Sequence, residues 1–378
     1  MSFGNLQTPT GELNARRVMN PSAIDLASVE YIASNACIAE AWKKVKSNKG
    51  KPGVDKINIV QFPKWVRPKW KLIKRQVETG SYQPTPVLRV EIPKEPSGKR
   101  LLGIPCVLDR VLMQSIAKVL SDMFNPTFSL NSYGYMPGRS VRQAAYQAQG
   151  YYQQGYIYQI DIDLEKFFDT VNHDILMDRI GRKVKNKGLM KLLGRFLRAG
   201  VVVDGRLQST TLGVPQGSPV SPILSNILLD ELDSELEARG HKFVRYADDV
   251  AIFVKSRRAG DRVLASISHF LEQKLKVKVN KAKSKVGRVK DSSVLGFSIH
   301  GKKLKTLECK VQKFKQKLKR ITRRCPGISI ASRIIRLKEY IQGWMAHYGC
   351  GLKYDDAVKL DGWIRRRLGN SGADPSAG

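Results

Sequence analysis

The chain has 378 residues, 42% of them hydrophobic, which is enough for a packed core divided over two or three domains. Its 66 Lys and Arg against 33 Asp and Glu give a formal net charge of +33, which is typical of a protein that binds nucleic acid. No long apolar run, signal peptide or lipidation motif supports a basic membrane-surface protein, and the five scattered cysteines indicate reduced cytoplasmic thiols rather than zinc or disulfides.

The N-terminal part of the chain is predicted to be mainly helical. Residues 1–28 are polar, and apolar side chains then recur at helical spacing over residues 29–45. A loop rich in Gly and Pro, residues 47–55, separates this helix from a basic helix over residues 65–79. The composition of the loop fits a plain connection between two helices.

A hairpin with a basic turn is predicted next. Residues 87–92 alternate as a strand does, and residues 101–105 form a second strand. The cations of the turn between them are Lys94, Lys99 and Arg100. Such cations either remain solvated or bind phosphate, where Arg can pair with two oxygens and Lys acts as a point charge. A helix rich in Gln follows over residues 141–154.

Two acidic clusters stand at the ends of predicted strands. Residues 156–160 lead into Asp161 and Asp163, which share one face of a strand. Later, Asp248 and Asp249 separate two apolar runs, which predicts a hairpin with both carboxylates in its turn.

The chemistry of these clusters depends on their context. A single acidic hairpin is more often an ordinary surface turn. Two acidic strand ends in so basic a chain instead predict a metal site, because carboxylate oxygens are preferred ligands of Mg²⁺. Two such ions about 4 Å apart stabilise both the attacking and the leaving oxygen of a phosphoryl displacement.

The acidic motifs resemble those of reverse transcriptases, in particular the bacterial group II intron-encoded branch. The run Tyr246-Ala247-Asp248-Asp249 matches the Y-x-D-D signature, and residues 163–173, with Phe167-Phe168-Asp169, are similar to the first catalytic motif. Four more segments resemble motifs of this family. They are residues 131–140, where Met136 replaces the usual Arg, residues 212–222 around a P-Q-G motif, residues 280–285 and residues 294–299. The resemblance covers residues 42–368, nearly the whole chain.

The resemblance implies an α+β fold, the right-hand polymerase, with fingers, a palm on an antiparallel sheet, and a helical thumb. Residues 1–85 would be an N-terminal extension, 86–155 the fingers, 156–300 the palm and 301–368 a thumb with maturase (X) motifs. The family normally continues with basic and aromatic residues, whereas residues 369–378 predict a flexible tail. The chain is therefore either naturally short at this point or cut from a longer protein.

The activity implied by the resemblance is RNA-directed DNA synthesis on two Mg²⁺ ions, with Mn²⁺ as an alternative. The metal ligands would be Asp163, Asp248, Asp249 and the backbone carbonyl of Leu164. The nucleotide-binding residues would be Lys94, Arg100, Phe168, Gln216 and Lys283, and the ring of Phe168 would exclude a ribose 2′-hydroxyl. The partners would be an RNA template, including structured intron RNA, a DNA or RNA primer and dNTPs in the bacterial cytoplasm, with no membrane. The resemblance fixes neither the oligomeric state nor the natural RNA.

A basic amphipathic helix is predicted within residues 302–324. Its apolar residues Val311, Phe314, Leu318 and Ile321 recur at helical spacing. Such a helix can bind membranes or acidic proteins, but after a polymerase palm it favours a thumb on a phosphate backbone. Arg139, Lys313 and Lys317 are the predicted nucleic-acid contacts.

Two alternative functions share these motifs. The protein could act mainly as a maturase that binds and stabilises intron RNA. It could also be a retron-type, diversity-generating or defence-associated reverse transcriptase, because these enzymes resemble the same polymerase core. The intact acidic triad argues against a pure RNA binder, since carboxylates beside a phosphate backbone weaken binding.

Overall fold

The computed structural model of the protein describes residues 27–93, 99–323 and 329–372. Its first four helices are α1 (Val29–Ile32), α2 (Asn35–Ser47), α3 (Phe62–Val66) and α4 (Trp70–Glu78). The helix predicted over residues 29–45 is divided, because the Ser34 hydroxyl accepts a hydrogen bond from the Cys37 amide and begins a new helix there.

The elements that follow are a mixture of strands and helices. First come β1 (Val87–Pro93), β2 (Lys99–Ile104), α5 (Val107–Phe124), α6 (Val141–Gln153), β3 (Tyr158–Ile162), α7 (Phe167–Thr170), α8 (His173–Gly181) and α9 (Lys187–Leu197). After these come β4 (Val201–Val203), β5 (Arg206–Gln208), α10 (Ser221–Ala238), β6 (Lys242–Tyr246), β7 (Asp249–Val254), α11 (Arg257–Lys274) and β8 (Lys285–Arg288).

One antiparallel sheet, which we call the palm sheet, has the strand order β6-β7-β3-β8. Its central strands pair Ile160 with Ile252, and both side chains are fully buried. The main core of the protein joins this face to apolar residues of α5, α10 and α11, including Ile116, Leu228 and Ile267. The antiparallel palm sheet packed on helices confirms the predicted α+β class.

A second sheet, the fingers sheet, has the strand order β2-β1-β4-β5. Strands β1 and β2 form the predicted hairpin, and β4 lies parallel to β1 with Val87 opposite Val201. The turn between β4 and β5 is Asp204-Gly205, with φ values of 49° and 79°, as the Asp-Gly pair predicts. A hairpin within the range predicted as palm thus completes the sheet of the fingers.

The described residues of the C-terminal part, 297–323 and 329–372, include a small hairpin and three α-helices. These elements are β9 (Phe297–His300), β10 (Lys303–Thr306), α12 (Glu308–Ile321), α13 (Ile330–Tyr348) and α14 (Tyr354–Gly372). The rings of Phe314 and Trp344 stack with centroids 4.2 Å apart, and Leu318 and Leu360 share the same apolar cluster. Helix α14 continues into the segment predicted as a flexible tail, of which residues 373–378 lie outside the described part.

Two expectations from composition concern membranes and cysteines. None of the helices within residues 27–93, 99–323 and 329–372 combines the length and the apolar character needed to cross a membrane. The cysteines Cys37, Cys106, Cys309 and Cys350 are free thiols, and Cys325 lies outside the described residues.

Candidate active site

The acidic hairpin of the palm sheet has a two-residue loop. Strands β6 and β7 pair Tyr246 with Asp249, which leaves only Ala247 and Asp248 in the turn. The sequence predicts both aspartates in the turn, but Asp249 is the first residue of β7. Ala247 has a φ of 58°, in the left-handed region that glycine normally occupies.

Asp163 follows directly on the end of β3. Because β3 pairs Ile162 with Val250 of the antiparallel β7, the next position in register brings Asp163 beside Asp249. The Asp163 amide donates to the Ser284 hydroxyl at 3.1 Å, and its carbonyl accepts from the Asn280 amide at 2.8 Å. The segment between α11 and β8 therefore fixes the backbone that carries this carboxylate.

Leu164, whose carbonyl is the fourth predicted metal ligand, is held at the same place. It forms an antiparallel bridge with Val279, and the adjacent Glu165 amide donates to the Lys278 carbonyl at 2.9 Å. The hydrogen bonds at this bridge are made by backbone groups of Asp163 and Glu165, the two residues that flank Leu164. The side chain of Leu164 is buried in the core.

The three carboxylates influence one another electrostatically. Partial burial, followed by the charges of Asp248 and Asp163, raises the pKa of Asp249 to about 6, although its side chain remains accessible to solvent. The Lys310 ammonium opposes this shift from the first turn of α12. Clustered carboxylates that disfavour one another's ionisation are typical of a site that cations complete.

The donor set fits a divalent cation by its chemistry. All three side chains are carboxylates, which suit Mg²⁺ and Mn²⁺. Within the described residues, however, no three His, Cys, Asp or Glu side chains are arranged as a ready metal centre. Instead, the Lys283 ammonium lies 3.7 Å from Asp163 Oδ2. The residues that would hold the ions are Asp163, Asp248 and Asp249.

A cleft of about 720 Å³ lies between the fingers sheet and the palm sheet. Its lining includes Asp163, Asp248, Phe168, Gln216 and Lys283. The structure thus brings two of the acidic residues and three of the five predicted nucleotide-binding residues to one concave surface. Such a mixture of cations, carboxylates and aromatic rings suits a charged, planar ligand.

The two phenylalanines of α7 differ in their exposure. Phe167 is 2% exposed and belongs to the core, whereas Phe168 is only partly buried. Their rings meet edge to face with centroids 5.4 Å apart. The Phe168 carbonyl accepts from the Val214 amide at 2.6 Å, which ties α7 to the segment with the P-Q-G motif. The position of Phe168 agrees with its selection over Phe167, but its role stays a prediction.

The P-Q-G segment is pressed against β2. The Gln216 carbonyl accepts from the Gly103 amide at 2.7 Å. Gly217 has a φ of 107°, and a Cβ at this residue would lie 2.8 Å from Leu102 Cδ1 and 3.0 Å from the Gly103 carbonyl oxygen. Only glycine fits here, because the close approach of the two backbones leaves no room for a Cβ.

An ion pair that the sequence reasoning missed crosses the cleft. Arg89 on β1 donates to Asp169 Oδ1 at 2.9 Å and thereby links the fingers sheet to α7. Asp169 lies within α7 rather than before it, and its carboxylate pairs with β1. The available signal was a single arginine between Leu88 and Val90, in a strand that also contains Glu91.

The predicted contacts Arg139, Lys313 and Lys317 do not line this cleft. Lys94 lies outside the described residues, and of Arg100 only the backbone is described, in β2 opposite Ile92. Arg139 directs Nη1 to the carbonyls of Ser129 and Ser132, so it supports the loop before α6. Lys313 and Lys317 are exposed on α12. The contacts of these residues with ligands stay predictions.

A second, smaller cleft of about 270 Å³ lies on the other side of the acidic turn. Asp161, Asp163, Asp249 and Lys285 line it together with Leu295. The Asp161 carboxylate accepts from Gln159 Nε2 at 2.5 Å, and burial raises its pKa. Asp161 thus shares the face of Asp163, as the strand pattern predicts, but is engaged by a neighbour in its own strand.

The turn before β9 borders this second cleft. Within residues 294–299, which resemble a motif of the family, strand β9 begins only at Phe297. Leu295 and Gly296 have φ values of 52° and 93° and form a tight turn before it. A Cβ at Gly296 would lie 2.9 Å from both Lys310 Cε and Tyr348 Cε1. The turn is therefore packed directly against the thumb helices α12 and α13.

The architecture is that of a right-hand polymerase. It has an antiparallel palm sheet with carboxylates at its strand ends, a fingers sheet over the cleft and a helical thumb. The family model for reverse transcriptase (RNA-dependent DNA polymerase) matches residues 92–299, and the chain belongs to this family. A second model, the group II intron maturase-specific domain, matches residues 311–371. Both matches confirm the resemblance to the group II intron-encoded branch.

Three curated relatives extend this result. Protein YkfC of Escherichia coli (strain K12) is 30% identical over 309 residues, which cover 71% of this chain and 80% of YkfC. The putative COX1/OXI3 intron 2 protein of Saccharomyces cerevisiae is 31% identical over 68% of this chain and 37% of its own length. The group II intron-encoded protein LtrA of Lactococcus lactis is 29% identical over 65% of this chain and 39% of LtrA. The chain thus spans less than half of the two intron proteins.

Proposed function

We propose that the protein is an RNA-directed DNA polymerase of the group II intron type. It would extend the 3′-hydroxyl of a DNA or RNA primer with dNTPs on an RNA template, in the bacterial cytoplasm. The observation that carries this proposal is the meeting of Asp163, Asp248 and Asp249 at one edge of the palm sheet, beside a cleft lined with cations. The family match over residues 92–299 supports it.

The acidic residues have the chemistry of metal ligands in this proposal. Asp163, Asp248 and Asp249, with the Leu164 carbonyl, would hold two Mg²⁺ ions. When bound, such ions supply the positive charge that activates the primer oxygen and offsets charge on the leaving pyrophosphate. The chain itself contributes the carboxylate positions. The Lys283 ammonium, which lies 3.7 Å from Asp163 Oδ2, would turn to the phosphates of the nucleotide when one is bound.

The large cleft would hold the incoming nucleotide. The partly buried ring of Phe168 would lie against the sugar and exclude a 2′-hydroxyl, and the Gln216 amide would contact the nucleotide from the P-Q-G segment. Lys283 would bind phosphate oxygens. Lys94 and Arg100 of the fingers hairpin would add further charge to the triphosphate site.

A second function has its own support in the C-terminal helices. The maturase-specific match covers residues 311–371, and the exposed cations of α12 include Lys313 and Lys317. We propose that these helices bind RNA, both as template duplex and as folded intron RNA. This binding would be largely independent of sequence, because phosphate contacts carry no base information.

Primer extension tests the polymerase proposal directly. Purified protein is given a primer annealed to an RNA or a DNA template, dNTPs and Mg²⁺. Wild type should extend on RNA, and Asp248→Ala should not. Asp261→Ala, which removes an exposed acidic residue of α11, is the matched control and should behave as wild type. Lack of extension by wild type on every template would disprove the proposal.

A further inference from the structure

The turn that carries Asp248 has a conformation that its own residues do not favour. Two-residue hairpin loops need a positive φ and therefore select Gly, Asn or Asp. Ala247 nevertheless has a φ of 58° and is 4% exposed. A residue with a Cβ persists in this region only where the surrounding structure holds it. The neighbours of the turn must therefore fix its shape.

The first of these neighbours is Arg245, which precedes the turn on β6 and is fully buried. Its Nε and Nη2 donate to the two carboxylate oxygens of Asp233 at 2.7 and 2.5 Å. Its Nη1 donates to the Ala247 carbonyl at 3.0 Å. Because a bidentate pair with a carboxylate fixes the plane of the guanidinium group, the donor aimed at Ala247 is fixed as well.

Asn226 of α10 connects Arg245 to a third segment. Its Oδ1 accepts from Arg245 Nη1 at 2.9 Å, and its Nδ2 donates to the Gly134 carbonyl at 2.9 Å. Asn226 is fully buried, so both halves of its amide are used within the protein. One amide thus joins the arginine to the loop before α6.

The loop at residues 131–134 lies along β6 and touches the turn. The Arg245 amide donates to the Asn131 carbonyl at 2.8 Å, and the Tyr133 amide donates to the Arg245 carbonyl at 2.8 Å. A Cβ at Gly134 would collide with the Ala247 nitrogen and would lie 2.8 Å from the carbonyl carbon of Tyr246. The loop and the turn therefore leave no room for displacement toward each other.

We propose that Arg245, Asp233, Asn226 and Gly134 are positioning residues, a turn clamp, that fixes Asp248 relative to Asp163. This inference rests on the proposed polymerase function. None of the four residues lines either cleft, so they act through the turn. A buried ion pair is weak evidence for stability in itself, because well-packed apolar residues often replace it without loss. A role in setting the position of the Asp248 carboxylate accounts for the presence of the ion pair between Arg245 and Asp233 beside the candidate active site.

The decisive variant is Asn226→Ala. Removing Arg245 or Asp233 alone would leave a buried charge without its partner and could prevent folding. Asn226→Ala leaves that ion pair intact and removes the amide that links Arg245 to Gly134. The matched control is Leu236→Ala, because Leu236 lies on the same helix, is fully buried in the apolar core and has no link to the turn.

Three quantities are measured for wild type and both variants. They are the melting temperature, the single-turnover extension rate of a bound primer on RNA at saturating dNTP, and hydrogen–deuterium exchange of peptides covering residues 243–251. Asn226→Ala should lower the rate roughly tenfold or more, as loss of a residue that orients a metal ligand does, and should speed exchange in the turn. Leu236→Ala should lower the melting temperature at least as much and keep the rate and the turn exchange of wild type.

Each result decides the proposal. Wild-type rate and exchange in folded Asn226→Ala would overturn the clamp, and so would a slower rate with unchanged exchange in the turn. An equal loss of rate in Leu236→Ala would show that destabilisation alone slows extension, which also overturns it. If Asn226→Ala does not fold, Gly134→Ala, which forces the turn to move, is measured in the same way. Failure of wild type to extend any primer would disprove the polymerase function, and the exchange data alone would then decide whether the turn is clamped.

Discussion

The acidic turn of the palm sheet and the basic helix α12 of the thumb are held in opposite ways. The turn is fixed by directed hydrogen bonds from fully buried groups, including Arg245 and Asn226. Helix α12 is held by an apolar seam, in which Phe314 and Leu318 are 1% exposed, while Lys313 and Lys317 lie on its exposed face. Packing of this kind fixes the helix but leaves the ends of its long lysine side chains mobile.

This difference agrees with the roles that we propose for the two regions. Metal-assisted phosphoryl transfer requires carboxylates at defined positions, and small displacements reduce the rate strongly. Attraction of a phosphate backbone requires only positive charge near the strand. We therefore expect single substitutions to act sharply in the palm and gradually in the thumb, and the predictions below test this contrast.

The largest expected effect is loss of a palm carboxylate. Asp163→Ala, Asp248→Ala and Asp249→Ala should each lower primer extension by more than about 10³-fold, since loss of even one neutral oxyanion donor costs about 10²–10³ in rate. RNA affinity should be unchanged or higher, because a negative charge near phosphates is removed. Extension and filter binding are measured on the same preparations. Asp161→Ala is the control for Asp163, and a deeper loss in that variant would show that the wrong carboxylate of the strand was chosen.

The next effect concerns the sugar of the nucleotide. Phe168→Ala should admit ribonucleotides and reduce discrimination between dNTP and rNTP about 10- to 100-fold, the range that one steric contact supplies. The ratio of kcat/KM for the two nucleotides is the measurement. Phe167→Ala is the control, because Phe167 is buried in the core and should affect stability instead. Relaxed discrimination in Phe167→Ala alone would contradict the assignment.

A smaller and graded effect is expected in the thumb. Changing both Lys313 and Lys317 to Gln should lower the slope of log affinity against log salt by roughly one to two units, since each neutralised phosphate contact contributes about 0.7–0.9. Extension from an already bound primer should change much less. The control pair Lys187 and Lys191, exposed on α9, gives the same change in net charge. Equal slopes for both double variants would mean that the exposed face of α12 does not touch nucleic acid.

The features that could be predicted from the sequence are those that depend on residues close together in the chain. Local propensity and the motif resemblance predict the acidic motifs, the hairpin of β1 and β2, the hairpin of β6 and β7, and the Asp204-Gly205 turn. The glycine at 217 could also be assigned in this way, because its motif implies close approach. Local patterns nevertheless placed Asp249 in the turn, since propensity favours Asp over Ala at positive φ.

The remaining features depend on contacts between distant segments. The clamp on the turn joins residues near 134, 226 and 245, and no periodicity in any one segment indicates the other two. The association of β4 with β1 likewise brings a hairpin from the palm range into the fingers sheet. In both cases tertiary packing decides the arrangement, and one sequence without its structure contains no signal for the pairing.

The smallest expected effect tests the connection between the two sheets. Arg89 and Asp169 are bonded at 2.9 Å, and their side chains are 28% and 36% exposed, so their coupling should be below about 1 kcal/mol. A double-mutant cycle with Arg89→Ala and Asp169→Ala, measured by denaturant unfolding, gives this coupling. The exposed pair of Lys99 and Glu91 within the fingers hairpin is the control and should show no measurable coupling.

Because Arg89 lines the large cleft as well, the KM for dNTP is measured in parallel. If the pair only joins β1 to α7, both single variants should raise this KM equally. A rise confined to Arg89→Ala would show that the arginine leaves Asp169 to bind the triphosphate, and the fingers sheet would then contribute directed contacts as the palm does.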